Sequence, residues 1–421
     1  MYVAQQLAAE VIEQVFAGRN LTVTLESIFR KHPDISAQQH AVTQDLSYGS
    51  LRFYGQSEAL LEQLLEKPLP DQRVKCLLLV AIYQLNHDKA AAHTVVDQAV
   101  KAAGQFKKSW AKGLVNAVLR NFLRQKDTLQ QNIASNEVAF YSYPQWWIDK
   151  LKVQYPQQWQ AILEAGNTHP PMSLRVNQRM ATAVEYSKLL SDAGLESQVL
   201  NSQAIILSKP VPVDKLPGFS RGQVSVQDYG AQFAAPWLDL QDGMRVLDAC
   251  CAPGGKTGHI LELADVDLVA VDSDAERLQR TQSNLHRLNL SAQLLTGDAA
   301  NPPVWWDGKP FDRILADVPC TASGIVRRHV DIKRLRREAD ISSFSKQQAV
   351  ILRGLWQLLA KGGKLLYVTC SIFHEENQRQ IEKFLETQAD AQQIPLAHTQ
   401  HGQLLPCAEH DGFFYALLQK N

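Results

Sequence analysis

From residue 243 onward five apolar runs recur, MRVLDAC, DLVAVD, AQLLTGD, DRILADV and KLLYVTC, and each stops at or beside a small, acidic or thiol residue. Longer helical segments separate them. Near-continuous Val, Leu and Ile suit strands buried on both faces, which is the signature of a parallel sheet. Strands alternating with helices give a doubly wound α/β arrangement, whose ligand cleft lies beyond the carboxyl ends of the strands. The acidic and thiol residues therefore converge on one cleft.

At 421 residues the chain exceeds the size at which single hydrophobic cores stop growing, so further domains must precede this sheet. Residues 1 to about 126 read as helices. AAEVIEQVF, LSYGSLRFYGQSEALLEQLL and, after the capping candidate Asp71, VKCLLLVAIYQL repeat apolar residues every three or four positions. The last part, residues 98–126, holds Lys101, Lys107, Lys108, Lys112, Arg120, Arg124 and Lys126 and no acidic residue. Net formal charge over the whole chain is zero, so this run is either a solvated helix face or a surface that meets phosphates. Trp110 and Phe106 within it are candidates for base stacking or for core. Residues 127 to about 170 read as a helical connector, broken at Pro170 and Pro171. MSLRVN and QAIILS then flank the helical VEYSKLLSDAGL, the pattern of a small α+β unit before residue 225.

The first residues carry two Glu and no basic leader, and no run of 18 apolar residues occurs, so a cytoplasmic location without a membrane span is expected. Six cysteines (Cys76, Cys250, Cys251, Cys320, Cys370, Cys407) are too few and scattered for a disulfide framework. None has CxxC spacing, so no metal site is expected.

VLDACCAPGGKTGHILEL reads as a strand, a glycine turn and a helix start, where backbone approaches a ligand closely; Gly254 and Gly255 permit both turn and approach. The spacing fits neither GxGxxG nor a phosphate-binding Walker loop. Asp272 at the second strand end suits ribose hydroxyls, and Asp298 at the third suits an adenine amino group. Singly, each carboxylate reads as a helix cap or turn former. Together they favour an adenosine-containing cofactor, and S-adenosyl-L-methionine fits the missing pyrophosphate fingerprint.

DRILADVPC puts Asp317 and Cys320 after the fourth strand, and KLLYVTCS puts Cys370 at the end of the fifth. A lone cysteine is more often a small buried hydrophobe than a nucleophile. Two thiols at adjacent strand ends, beside a turn whose amides can stabilise a thiolate, weigh against that reading.

DACCAPGGKT, DVPCTASG and YVTCS resemble the signature motifs of the RNA cytosine-5 methyltransferases of the Fmu/Sun (NOP2/NSUN) family. SVQDYGAQFAAPWL, RRHVDIKRLRR and DGFFYALL extend the resemblance, and residues 1 to about 130, with GLVNAVLRNF, are similar to the NusB-like RNA-binding domain of bacterial ribosomal members. The resemblance implies a multidomain protein: an all-α NusB-like domain (1–130), a helical connector with a small α+β linker (131–225), and a C-terminal α/β Rossmann-like class I methyltransferase domain (226–421). It implies Cys370 as nucleophile and Cys320 as the thiol that assists product release. The cofactor loop corresponds to Cys250, Cys251, Ala252, Pro253, Gly254, Gly255 and Lys256, with Asp272, Asp298 and Asp317 at later cofactor or base contacts. Cys251 replaces a usual Ala, and Val318 interrupts the usual Asp-Ala-Pro-Cys; Cys251 is read as packing.

In that chemistry a thiolate adds to carbon 6 of cytosine and turns carbon 5 into an enamine carbon able to take a methyl group. Asp317 is the candidate for promoting this addition at the edge of the base, with cofactor contact as its competing role. The base must be unstacked, which suits a looped or flipped cytosine. The expected partner is small-subunit (16S) ribosomal RNA, bound by a monomer through Lys107, Lys108, Lys112, Arg120 and Arg124 and, beside the cleft, through Arg327, Arg328, Lys333 and Arg334. The rival readings are the same chemistry on transfer RNA and a non-catalytic RNA-binding assembly factor. An amino-group methyltransferase would carry Asn/Asp-Pro-Pro-aromatic where this chain has Asp317-Val318-Pro319-Cys320.

Overall fold

The run VKCLLLVAIYQL is apolar on every side, so a helix made from it has to be surrounded by others. In the computed structural model, which describes residues 2–397, 399 and 401–421, it lies in helix Gln72–Asn86, with Val74 and Cys76 through Leu85 buried. Asp71 caps it, accepting the Val74 N–H at 2.9 Å. Helices Tyr2–Phe16, Ala37–Arg52, Ala92–Gly104 and Ala111–Ile133 pack around this central helix. The N-terminal part is all-helical, as the periodicity requires.

This first unit comprises Met1–Thr168 and a distant piece of chain, Val326–Arg337. Val330 enters its core. The Asp331 carboxylate accepts the Leu21 N–H at 2.9 Å, the one first-turn donor of helix Leu21–Lys31 that the Asn20 cap leaves over. The connector helices through Trp159–Asn167 stay with the helical unit, while the small α+β layer joins the second unit, His169–Ile325 with Glu338–Asn421.

In the second unit, strands β1 (Met172–Val176), β2 (Ser197–Val199), β3 (Ala204–Leu207) and β4 (Val224–Val226) form an antiparallel sheet in the order β2-β3-β1-β4, backed by helix Ala183–Asp192. The large sheet contains β5 (Arg245–Ala249), β6 (Asp267–Asp272), β7 (Gln293–Thr296), β8 (Phe311–Asp317), β9 (Leu359–Thr369), β10 (Ala391–Ile394), β11 (Gln403–Leu404) and β12 (Phe413–Lys420). Its order is β10-β12-β9-β8-β5-β6-β7, with β11 pairing β12. The five runs read from the sequence are its parallel part, β9-β8-β5-β6-β7; β12 returns antiparallel to β9. The order reverses direction at β5, so β5 and β8 open the crevice where ligands of such sheets bind. Buried Arg175 on β1 fastens the small layer to this crevice. It forks onto Glu262 at 2.7 and 2.9 Å and donates to the Gly255 carbonyl at 2.8 Å, at the start of helix Gly255–Leu263.

Candidate active site

The glycine loop after β5 is tied down from behind. Cys251 N–H reaches the Val271 carbonyl at 3.0 Å, Ala252 N–H reaches Asp272 Oδ2 at 3.0 Å, and Arg277 and Asn284 hold the carbonyls of Ala252 and Pro253. Gly254 has φ +90°, and a Cβ there would stand 2.7 Å from Thr281 Cγ2, so only glycine fits this turn. Around Gly255 the space is open: a Cβ would meet only Gln227 Nε2, at 3.7 Å. A helix N-terminus behind an open glycine is a fit place for the polar end of a ligand. Asp272 is buried and takes the N–H groups of Ala252 and Asp274 on its two oxygens, so it shapes the loop. Asp298 stands exposed two residues past β7 and accepts the Ala300 N–H at 2.9 Å.

Beyond Gly255 the ammonium of Lys256 meets Asp317 Oδ2 at 2.6 Å and lies 5.8 Å from the Phe413 ring centre. Burial alone would lower this ammonium, but Asp317, Cys370 and Asp248 reverse the shift and hold it up. Asp248, on β5 beneath the loop, was not singled out from the sequence. It is fully buried, accepts Thr257 Oγ1 at 2.6 Å, and burial pushes its carboxyl up to about 7. The Cys250 and Cys251 thiols are raised too, first by burial and then by the surrounding carboxylates.

At the next two strand ends Cys320 Sγ lies 3.4 Å from Cys370 Sγ. The last backbone tie between β8 and β9 is Val318 N–H to Val368 carbonyl at 3.1 Å, so both thiols lie past the ladder, at the mouth of the crevice. Cys370 is half-buried, and Cys320 is 9% exposed. Its hydrogen bond to Cys370, then burial, then the charges of Cys370 and Glu376 drive the Cys320 thiol well up. Gly324 N–H binds the Cys370 carbonyl at 2.8 Å, and Gly324 touches Gly412 backbone so closely that no Cβ fits; this explains the glycine of DGFFYALL.

Glu376 also escaped the sequence reading, because a glutamate in HEEN reads as solvated loop. It is fully buried and accepts from Thr321, Ser371 and Gln348; burial raises its carboxyl and these bonds oppose the rise.

The description 16S rRNA methyltransferase RsmB/F matches residues 235–419, the ferredoxin-like domain of RsmF/B-like methyltransferases matches 143–214, and the NusB family matches 3–124. Ribosomal RNA small subunit methyltransferase B of Pseudomonas syringae pv. tomato is 42% identical over 98% of this chain and 96% of its own length. The chain belongs to the RsmB/F methyltransferase family. The enzyme of the same name from Vibrio cholerae is 43% identical over 100% of this chain and 98% of its own. The crystal structure of PH0851 shares the fold over 100% of this chain and 99% of that one, at TM-score 0.82 and 24% identity. A methyltransferase homolog from Pyrococcus horikoshii covers 68% of this chain and 97% of its own, at TM-score 0.60 and 27% identity. As an RsmB/F member the protein is a methyltransferase that uses S-adenosyl-L-methionine, built from the helical NusB, ferredoxin-like and Rossmann-like parts described above.

The basic residues of this RsmB/F chain separate into two kinds. On helix Ala111–Ile133, Lys112, Arg120 and Arg124 are exposed opposite a buried stripe of Val115, Val118, Leu119 and Phe122, and Lys107 is exposed just before it. The run is less bare than its sequence indicates: Lys101 pairs with Asp97, Lys108 with Asp71 and Lys126 with Asp88. Trp110 is 43% exposed, whereas Phe106 packs on the core. Two residues expected to hold RNA beside the cleft do not face solvent. Arg327 is 2% exposed, its carbonyl taken by Arg52 at 3.0 Å. Lys333 is 6% exposed, bonds the Arg52 carbonyl and Asn167, sits 3.9 Å from the Tyr143 ring centre, and is driven well down by burial. Their segment turns into the helical core, where an ammonium serves carbonyls rather than phosphates. Arg334 is exposed, with its guanidinium over Phe16 and Tyr54; Arg328 is half-buried. Among the described residues no helix is long and apolar enough to cross a membrane.

Proposed function

We propose that this protein methylates carbon 5 of a cytosine in 16S ribosomal RNA through a covalent bond between Cys370 and carbon 6 of the base. The observation that carries the reading is the 3.4 Å approach of two thiols at adjacent strand ends, beside the Lys256–Asp317 pair. The backbone of residues 250–256, with Asp272 and Asp298, would hold S-adenosyl-L-methionine. When bound it supplies an electrophilic methyl group, and all other steps fall to the chain's own residues.

The Cys370 thiolate, accepting the Cys320 S–H, adds to carbon 6 and forms an S–C bond. Electron density shifts from the carbon 5–carbon 6 double bond toward the ring edge. Paired with an ammonium, Asp317 is an acceptor suited to the exocyclic amino group, and Lys256 is the donor of the pair. This divides a role the sequence reading gave to Asp317 alone. Carbon 5 takes the methyl group and must then lose its proton. The largest effect that keeps Cys320 protonated is its hydrogen bond to Cys370, followed by burial and then by the charge of Cys370. Bonding to carbon 6 removes that charge, so Cys320 can give its proton to solvent and then, directly or through a water it positions, accept the carbon 5 proton. The double bond re-forms, the S–C bond breaks, and its electron pair returns to Cys370. The exposed face of Lys107, Lys112, Arg120 and Arg124, with Lys108, would meet the RNA backbone.

The test is methylation of 16S ribosomal RNA by the purified chain, read by bisulfite sequencing, with peptide mapping of the complex formed on 5-fluorocytosine RNA. One protected cytosine and a cross-link on Cys370 are expected. Methylation on a nitrogen, or no cross-link at Cys370, overturns the reading.

A further inference from the structure

Cys320 lies beyond the β8–β9 ladder, so backbone pairing no longer sets its distance from Cys370. Side chains do so instead. Gln348 donates to the Pro319 carbonyl at 2.9 Å, and Glu376 Oε1 accepts the Thr321 N–H at 2.9 Å, so the residues on both sides of Cys320 are pinned. Glu376 Oε1 also accepts Gln348 Nε2 at 3.1 Å, which joins the two pins. Its second oxygen accepts two hydroxyls at 2.5 Å, Thr321 Oγ1 from the Cys320 loop and Ser371 Oγ from the Cys370 loop. One buried carboxylate thus bridges the residues that immediately follow each thiol.

We propose that Glu376 is a positioning residue that clamps Thr321 to Ser371 and so keeps Cys320 in range of Cys370 while the covalent adduct is resolved. The proposal rests on the adduct chemistry given above. A buried carboxylate is a costly way to fill space, and a hydrophobic residue would pack there more cheaply. What it adds is a fixed geometry from four hydrogen bonds to one carboxylate. The two loops depend on it unequally. The Cys370 side has other ties: Asn377 Nδ2 to the Ser371 carbonyl at 2.8 Å, Thr369 Oγ1 to Asn377 at 2.6 Å, and Tyr367 OH to the Glu376 carbonyl at 2.8 Å. The Cys320 side keeps the Gln348 bond to the Pro319 carbonyl, the Gly324 N–H bond to the Cys370 carbonyl, and the contacts of Thr321 Oγ1 and Ser323 Oγ with Ser371 Oγ at 3.2 and 3.1 Å. The Thr321 N–H next to Cys320, however, rests on Glu376 itself, so loss of the clamp loosens Cys320 more than Cys370. Adduct formation survives, and expulsion of the Cys370 thiolate with transfer of the carbon 5 proton slows.

The experiment follows methyl transfer and covalent protein–RNA complex in single turnovers of the full chain with unmodified RNA and labelled S-adenosyl-L-methionine. Glu376→Ala is expected to form the complex within about threefold of the parent rate and to resolve it about 10- to 100-fold more slowly. Glu376→Gln keeps the reach and can bond the same rotatable hydroxyls, so it is expected to restore most of the resolution rate. Thr321→Val cuts the same link from the other loop without changing side-chain shape, and is expected to slow resolution less; it decides the matter should Glu376→Ala not fold. Parent-like resolution in Thr321→Val and in folded Glu376→Ala overturns the clamp. So does an equal fall in complex formation, resolution and cofactor affinity, which marks a merely structural residue. A parent chain that forms no complex at all overturns the adduct reading itself, a result distinct from either.

Discussion

Cys250 and Cys251 are neighbours in sequence, whereas Cys320 and Cys370 are fifty positions apart, yet the distant pair is the one proposed for the chemistry. Cys250 and Cys251 sit in the glycine loop after β5, where burial and the carboxylates of Asp248 and Asp272 disfavour a thiolate on either. Cys320 and Cys370 follow two adjacent parallel strands with their sulfurs 3.4 Å apart, and the Cys320 thiol is driven well up. A doubly wound sheet brings remote strand ends together, so the useful neighbours are those across the sheet.

Removing Cys370 breaks the comparison most severely. Cys370→Ala is expected to lower methylation to background, a loss of at least about a thousandfold, and to abolish covalent RNA trapping. Measurable turnover by this variant would place the nucleophile elsewhere. Cys320→Ala should do the opposite to the complex: turnover falls about 100- to 10,000-fold while covalent protein–RNA accumulates on a denaturing gel. Equal loss of trapping in both variants would mean that the two thiols share one role.

The strand ends were legible because apolar runs and their terminal residues can be counted in one dimension. Asp317, Cys320 and Cys370 could be placed in one cleft from topology alone. What was not legible depends on where side chains go after the strand. Glu376 has a residue type that belongs in water, and only its four donors from the two thiol loops and a neighbouring helix reveal a buried role. Lys333 and Arg327 follow a cleft residue closely in sequence, but their segment leaves the sheet for the helical core. The counter-charges of the basic run escaped notice because Asp71, Asp88 and Asp97 lie outside it.

Asp248 sharpens the account of the quieter pair. The folded chain keeps this proton up to about pH 7, whereas an unfolded carboxylate loses it near 4. Across that window the folded state binds more protons, so the stability contributed by this group is full below about 4 and lost as pH rises to about 7. Asp248→Asn removes the loss. Its unfolding free energy relative to the parent is expected to climb between pH 4 and 7 and then level, with a total on the order of 4 kcal/mol at most. A difference that stays constant with pH would mean that Asp248 is ionised in the folded chain throughout, held by its bond from Thr257.

The smallest expected effect falls on Cys251 itself. It is 6% exposed and packs with Ala270 and Leu278, and its backbone N–H rather than its thiol ties the loop to β6. Cys251→Ala deletes one sulfur from a small cluster, which is expected to cost about 1 kcal/mol of stability and to leave methylation within about twofold. Denaturant titration and single-turnover rates check the two halves separately. A large loss of turnover with stability intact would give the sequence-adjacent thiols a chemical role, and the contrast between the pairs would then collapse.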